Sequence, residues 1–172
     1  MKAETVVELL ELFAENEIDV VVDGGWSVDA LLGEQTRSHE DLDIAIPHKD
    51  VPKLRELLTD RGFSDVPRDD ARDCNFVLGD GAGNSVDVHS YTFDEQGGNI
   101  FGVQYLPEHL TGTGTIKGFP VKCISAEWSV KFHTGYEPDE NDFSDVAALC
   151  ERFCIPLPKE YEKFINQSER KG

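Results

Sequence analysis

A glycine pair between a short apolar run and an acidic strand pattern constrains this chain more than any other feature. Residues 18–22 form an apolar run typical of a buried strand, and Gly24 and Gly25 end it where the backbone can turn sharply. Residues 26–32 then have the apolar spacing of a short helix that ends at Gly33. The amides at the start of such a helix suit a phosphate, although a plain tight turn is the more common explanation of a glycine pair before a helix.

Two aspartates follow on what we predict to be a strand. Residues 41–46 alternate with period two, so Asp41 and Asp43 project from one face while Leu42 and Ile44 enter the core. Neighbouring carboxylates repel each other, and a divalent cation such as Mg²⁺ relieves that repulsion. We therefore predict a metal site at Asp41 and Asp43, next to the glycine turn.

Asp87 is the natural third carboxylate. In residues 85–89 the two valines form an apolar face and Asp87 lies on the opposite face, with His89 two residues further on. If this strand pairs near residues 41–46, Asp87 shares the metal or takes a proton from an acceptor hydroxyl. An exposed strand aspartate is the competing interpretation.

Three cationic or ionisable side chains are candidates for contact with a triphosphate. Arg37 and His39 lie in a polar loop just before the acidic strand, and Lys131 precedes a Gly-Tyr pair late in the chain. Each also has an ordinary explanation: a surface ion pair for Arg37, a loop-positioning hydrogen bond for His39 and a solvent-facing helix lysine for Lys131. The closeness of Arg37 and His39 to Asp41 favours a functional role.

The remaining pattern predicts an α+β fold, with a mixed sheet flanked by helices. Helices are predicted at residues 5–15, 48–61 and 125–133, from residue 137 and from residue 158, and strands at residues 75–78, 85–91 and 119–124. Residues 94–118 have no clear period, and we interpret them as irregular strands and loops over a ligand. We expect an α/β core at residues 1–124 and a C-terminal helical segment at residues 125–172, packed on the core or forming one domain with it.

Composition excludes several classes of function. The formal charge of −18, from 34 acidic and 16 basic residues, opposes any extended contact with a nucleic-acid backbone, so we do not expect long nucleic acid as a substrate. The excess of acidic residues has two possible explanations. It attracts a cationic small molecule, or it forms a solvated, acid-rich surface suited to high salt. The sequence contains no pattern typical of a membrane span or a secretory segment, so we expect a cytoplasmic protein. The four cysteines show no C-x-x-C spacing, so we expect reduced, mostly buried thiols.

The motifs together resemble a known family. They are Gly24-Gly25-Trp26, Thr36-Arg37, His39-Glu40-Asp41-Leu42-Asp43, Val86-Asp87-Val88-His89 and Lys131-Phe132-His133-Thr134-Gly135-Tyr136. This combination resembles the lincosamide and aminoglycoside 2''-nucleotidyltransferases of the polymerase-β-like superfamily, over about residues 21–161.

The resemblance implies an adenylyltransferase with ATP as nucleotide donor and Mg²⁺, two ions, as cofactor. It implies that Asp41 and Asp43 bind metal and that Asp87 is the third carboxylate and general base. Gly24, Gly25 and Trp26 would belong to the nucleotide site with Arg37, His39 and Lys131. The acceptor would be a hydroxyl of a small, cationic molecule such as an antibiotic; an antitoxin-like binding module and a protein-modifying enzyme remain alternatives, and the oligomeric state is open.

Overall fold

The computed structural model describes residues 1–168, in which eight strands form one mixed sheet flanked by six α-helices. The helices are α1 (Ala3–Glu15), α2 (Gly24–Leu32), α3 (Val51–Asp60), α4 (Ala126–Phe132), α5 (Glu140–Phe153) and α6 (Glu162–Ser168). The strands are β1 (Val21–Val22), β2 (Leu42–Pro47), β3 (Ser64–Val66), β4 (Asn75–Gly79), β5 (Ser85–Phe93), β6 (Asn99–Gly102), β7 (Gly112–Ile116) and β8 (Phe119–Cys123). The predicted α+β class is confirmed.

The order of strands brings the two acidic strand patterns together. It runs β3-β4-β5-β2-β1-β8-β7, and β6 pairs with β5 outside this path. β2 lies parallel to β5 and β1 lies parallel to β8, while the other neighbouring pairs are antiparallel. Since β2 and β5 are neighbours in parallel register, side chains at matching positions of these strands lie side by side.

Most of the core lies on one face of the sheet, under α1 and α3. Leu42 and Ile44 of β2 and Val86 and Val88 of β5 are fully buried there, which confirms the alternation predicted for both strands. A second apolar cluster joins α2 to the C-terminal helices. It comprises Val28, Val130, Val146, Leu149, Cys150 and Tyr161.

The region without a clear sequence pattern contains β6, a 3-10 turn at Pro107–Leu110 and β7. β7 has no apolar alternation because α2 packs closely against its backbone. A β-carbon on Gly114 would lie less than 3.0 Å from the carbonyl oxygen of Ala30, so this strand needs glycine where a core residue would normally stand. The short strand β3 was also not predicted, since all three of its residues are exposed.

Other sequence predictions can be compared directly with the structure. The strand predicted at residues 18–22 is only two residues long, at β1. The four cysteines are free thiols, with Cys123 and Cys150 buried and Cys154 exposed. Within residues 1–168, no helix has both the length and the apolar character that crossing a membrane requires.

Candidate active site

The N-terminus of α2 lies directly against Asp43. The helix begins at Gly24, two residues earlier than predicted, and the side chain of Asp23 accepts a hydrogen bond from the Gly24 amide at 2.8 Å. Gly24 has φ +58°, and a β-carbon there would lie less than 3.0 Å from Asp43 Oδ2. Glycine is needed at this position both for the left-handed backbone and for the close approach to the carboxylate.

Asp43 and Asp87 are register partners on β2 and β5. With His89 they form a group whose ligand atoms lie within 4.8 Å of one another, all on the face opposite the main core. Asp87 is 8% exposed, so the interpretation of Asp87 as an exposed strand residue was wrong. Asp41 lies just before β2, where the predicted strand began, and outside this group; it lines a neighbouring cavity together with Asp43.

The electrostatics of the carboxylates differ sharply. Burial, followed by the charges of Asp41 and Asp23, raises the pKa of Asp43 to about 7. Burial also opposes ionisation of Asp87, but contacts with His89 and Arg68 outweigh it and hold the pKa of Asp87 below its ordinary value. The site therefore carries more negative charge than its own surroundings neutralise.

His89 and Asp23 are functional candidates that the sequence did not single out. His89 Nε2 lies 3.4 Å from Asp87 Oδ1, and His89 Nδ1 lies 3.8 Å from Asp23 Oδ2. The Tyr105 hydroxyl donates a hydrogen bond to Asp23 Oδ2 at 2.6 Å. Burial lowers the pKa of His89, but the two carboxylates outweigh burial and raise it to about 10, so His89 is a cation among acids. The only sequence signal for His89 was its position two residues after Asp87, on the same face of the strand.

Beyond Gly25, a polar cavity of about 290 Å³ is lined by the loop that carries Arg37 and His39. His39 is buried, its ring packs against Trp26, and its Nε2 lies 2.5 Å from Asp29 Oδ2. Because Nε2 is held by Asp29, the Nδ1 edge faces the backbone of Gly25. His39 therefore makes the positioning hydrogen bond predicted for it and also lies beside the glycine turn. Its contact with a phosphate stays a prediction.

Arg37 takes part in a bidentate ion pair with Asp145 of α5. Its Nη2 lies 2.7 Å and its Nε 3.2 Å from Asp145 Oδ2, and Asp145 is 2% exposed. Hydrogen bonding to Asp145 raises the pKa of Arg37 above its ordinary value. The ion pair expected as the ordinary explanation exists, yet the guanidinium also lines the cavity with Asp41 and Asp43.

Trp26 and Lys131 are placed differently from the other predicted nucleotide contacts. The Trp26 side chain is 1% exposed and belongs to the core, so its indole does not reach the cavity and only its first-turn amide is available to a ligand. Lys131 extends over the Trp128 ring, with Nζ 3.9 Å from the ring centroid. Lys131 lines a second cavity, separate from that of Arg37 and His39.

The second cavity lies beside His89. It has a volume of about 490 Å³, and Asp23, His89, Tyr105, Lys131 and Phe132 are among its lining residues. Asp43 lines the first cavity and His89 lines the second, and both belong to the group whose ligand atoms lie within 4.8 Å of one another. Such an arrangement can hold two reactants on either side of one charged centre.

The residues present fit a divalent cation. Asp87 Oδ1 is buried without a hydrogen-bond partner among the described residues, and Asp87 belongs to the group that converges within 4.8 Å. Mg²⁺ prefers carboxylate oxygens, and a cation here would favour the ionised form of Asp43, which burial and neighbouring carboxylates disfavour. His89 supplies part of the missing positive charge.

The N-terminus of α2 beside the paired aspartates of β2 and β5 is the arrangement that the resemblance to nucleotidyltransferases predicted. Comparison with known proteins specifies the group. The sequence pattern of the family described as aminoglycoside-2''-adenylyltransferase matches residues 5–149. The chain belongs to this family of antibiotic-modifying nucleotidyltransferases, whose members use a nucleotide donor and, in general, a divalent metal.

Individual relatives and a solved structure agree with the family. A lincosamide resistance protein of Staphylococcus haemolyticus is 30% identical over 147 residues, which cover 82% of this chain and 89% of the relative. A 2''-aminoglycoside nucleotidyltransferase of Klebsiella pneumoniae is 27% identical over 130 residues, or 70% of this chain and 66% of the relative. The lincomycin-bound crystal structure of a lincosamide antibiotic adenylyltransferase superposes with a TM-score of 0.74 at 25% identity, covering 91% of this chain and 99% of that one.

Proposed function

We propose that this protein transfers AMP from ATP to a hydroxyl group of a lincosamide- or aminoglycoside-like antibiotic and releases pyrophosphate. The observation that carries the proposal is the register pairing of Asp43 with Asp87 beside the N-terminus of α2. The same arrangement supports a centre at which a phosphate and a hydroxyl meet. The two named relatives and the lincomycin-bound structure support the choice of acceptor class.

Asp41, Asp43 and Asp87 would hold the divalent metal, with two Mg²⁺ ions as the proposed number. When bound, Mg²⁺ neutralises charge on the phosphates and stabilises the attacking and leaving oxygens of an in-line displacement. The carboxylates contribute by being already gathered and partly dehydrated, so that little reorganisation accompanies binding. Burial and the charges of Asp41 and Asp23 raise the pKa of Asp43, and a bound cation would favour the ionised carboxylate that this role requires.

The triphosphate would lie in the cavity beside Gly25. The first-turn amides of Gly25 and Trp26 have no partners within the helix, and His39 and Arg37 add an imidazole and a guanidinium. Lys131 borders the other cavity, so it would contact a phosphate from the opposite side, as the sequence predicts, or the acceptor.

Asp87 would act as the general base. Its Oδ1 is buried, has no hydrogen-bond partner in the described part of the chain and lies 3.4 Å from His89, which lines the second cavity, so it can accept the proton of an acceptor hydroxyl. The acceptor oxygen then forms a bond to the α-phosphorus, the bond from the α-phosphorus to the bridging oxygen breaks, and that oxygen leaves with pyrophosphate. His89 is unsuited to be the base, since its raised pKa keeps it protonated at neutral pH.

The test is an assay with Mg²⁺, labelled ATP and a panel of lincosamides and aminoglycosides. We expect pyrophosphate release coupled to an AMP adduct on at least one acceptor, and loss of both by at least about 100-fold in Asp43→Asn. Asp65→Asn, an exposed aspartate of β3, is the matched control and should retain full activity. A parent protein without any adduct, or an Asp43→Asn variant within about tenfold of the parent, would contradict the proposal.

A further inference from the structure

Arg68 contacts Asp87 from outside the cavities and has no role in the assignments made above. It lies in the segment between β3 and β4, in a turn closed by a hydrogen bond from the Ala71 amide to the Arg68 carbonyl at 3.2 Å. Arg68 Nη1 donates to Asp87 Oδ2 at 2.5 Å. This is the shortest polar contact that Asp87 makes among the contacts of the described residues.

The guanidinium is itself held in place by Asp70. Arg68 Nε donates to Asp70 Oδ1 at 2.9 Å and Nη2 donates to Asp70 Oδ2 at 2.8 Å. This bidentate pair fixes the plane of the guanidinium and leaves Nη1 for Asp87. Asp70, Arg68 and Asp87 therefore form a chain of charge-assisted hydrogen bonds that leads from the surface to the active site.

The contact separates the two oxygens of Asp87. Oδ2 is occupied by Arg68, whereas Oδ1 is buried, without a hydrogen-bond partner, and 3.4 Å from His89 Nε2. A carboxylate on a short side chain can rotate about its terminal torsion, and that torsion has broad preferences of its own. The hydrogen bond to Oδ2 restricts this rotation and keeps Oδ1 directed at His89, in the residue group that also contains Asp43.

We propose that Arg68, braced by Asp70, is a positioning residue that orients Asp87 so that Oδ1 alone faces the metal and the acceptor. This inference rests on the proposed function of Asp87. Groups that hydrogen-bond to a ligating carboxylate orient it, and their loss typically lowers metal affinity or activity by about 10- to 100-fold. The sequence offered no indication of this role, because Arg68 lies in an acidic loop without a recognisable motif.

The decisive variant is the double substitution Arg68→Met/Asp70→Asn, which removes the chain of hydrogen bonds without changing the net charge. Its matched control is Arg55→Met/Asp65→Asn, which removes another surface ion pair, 2.8 Å long, between α3 and β3. Two properties are measured: steady-state kinetics with ATP, and binding of Mn²⁺ to the nucleotide-free protein by electron paramagnetic resonance. Thermal unfolding of both variants verifies that they are folded.

For Arg68→Met/Asp70→Asn we expect kcat to fall roughly 10- to 100-fold, KM for ATP to change by less than about threefold, and Mn²⁺ affinity to fall about tenfold. The single variant Arg68→Lys keeps the charge but loses the planar fork, so its kcat should lie between those of the parent and the double variant. A lower melting temperature with parental kcat and Mn²⁺ affinity would overturn the proposal, as would tighter Mn²⁺ binding, which would make Arg68 a competitor of the metal.

The two proposals fail in different ways. If the parent protein forms no adduct with any acceptor, the proposed function fails, and Mn²⁺ binding alone then decides the role of Arg68. Weaker Mn²⁺ binding in the Arg68 double variant, with unchanged binding in the Arg55 control, would support positioning. Equal binding in both would overturn it.

Discussion

The backbone of Gly24 lies so close to Asp43 that a β-carbon at residue 24 would come within 3.0 Å of the Asp43 carboxylate. This contact joins the start of α2 to β2 and brings a helix N-terminus beside a carboxylate whose pKa is raised to about 7. A helix dipole and an acidic group are compatible there, since the positive end of the dipole faces the negative charge.

Gly24→Ala should impair both folding and catalysis. Alanine would have to adopt φ +58° and displace Asp43, so backbone strain and the moved carboxylate act together. We expect a loss of roughly 2–4 kcal/mol in the free energy of unfolding and at least about a tenfold loss of kcat. Urea denaturation and the adenylylation assay measure the two effects.

Gly33→Ala is the matched control for backbone strain. Gly33 ends the same helix with φ +80°, but a β-carbon there would meet nothing within 4 Å. We expect a loss of only about 1–2 kcal/mol and parental kcat. Equal loss of kcat in the two variants would show that the contact with Asp43 is unimportant.

The stability of the metal-free protein should depend on pH through Asp43. Its folded-state pKa of about 7 lies above the ordinary value of 3.8, so between these values the folded protein holds a proton that the unfolded chain releases. The contribution of Asp43 to stability is therefore present below pH 3.8 and is lost as pH rises to about 7. Asp43→Asn should be more stable than the parent by on the order of 2 kcal/mol above pH 7 and nearly equal to it at pH 4.

Urea denaturation of the parent and of Asp43→Asn in the presence of EDTA, at several pH values, measures this difference. Added Mg²⁺ should reduce the gap, because the cation stabilises the ionised parent and not the variant. A stability difference that is the same at pH 4 and pH 8 would contradict the raised pKa.

The ion pair between Arg37 and Asp145 should serve both stability and ATP binding. Removing Arg37 alone leaves a carboxylate that is 2% exposed without its cation, so Arg37→Met should cost roughly 2–3 kcal/mol. Arg37→Met/Asp145→Asn should recover most of this lost stability, because neither member of the ion pair is left buried and unpaired. If Arg37 binds the triphosphate, KM for ATP should stay raised by about tenfold or more in both variants. Parental KM in the double variant would make the pair purely structural.

The acidic surface should make stability dependent on salt. The charge of −18 produces repulsion that salt screens, and at molar concentrations the Debye length is only about 3 Å. We expect KCl between about 0.1 and 2 M to raise the melting temperature by roughly 5 °C. Equal stability in dilute buffer and in molar KCl would contradict a surface adapted to high salt.

The amino-acid sequence was sufficient for the features that depend on local pattern. The alternation in β2 and β5 assigned Leu42, Ile44, Val86 and Val88 to the core, because side chains of a strand point to opposite faces in turn. The family motifs led to the nucleotidyltransferase class, which the comparisons confirmed. The roles of individual site residues and the division at residue 124 stay predictions.

Long-range geometry lay beyond the sequence. β7 could not be recognised because Gly114 is required by the close approach of α2, and this requirement replaces the alternating pattern of an ordinary strand. Trp26 belongs to a motif from which we predicted a nucleotide site, yet its side chain is buried in the core and only its amide lies in the first turn of α2. The sequence alone does not show whether the side chain of Trp26 or only its backbone amide is available to a ligand.

The sequence by itself determined that Asp43 and Asp87 lie on strands and that a helix begins near the glycine pair. Only the tertiary structure decided which groups meet. Parallel pairing of β2 with β5 placed Asp43 beside Asp87 and His89, and the packing of separate segments added Asp23 and Arg68 around them. The physical reason is that pKa values and metal binding depend on distances of a few ångströms between charges, and those distances are set by strand order and register.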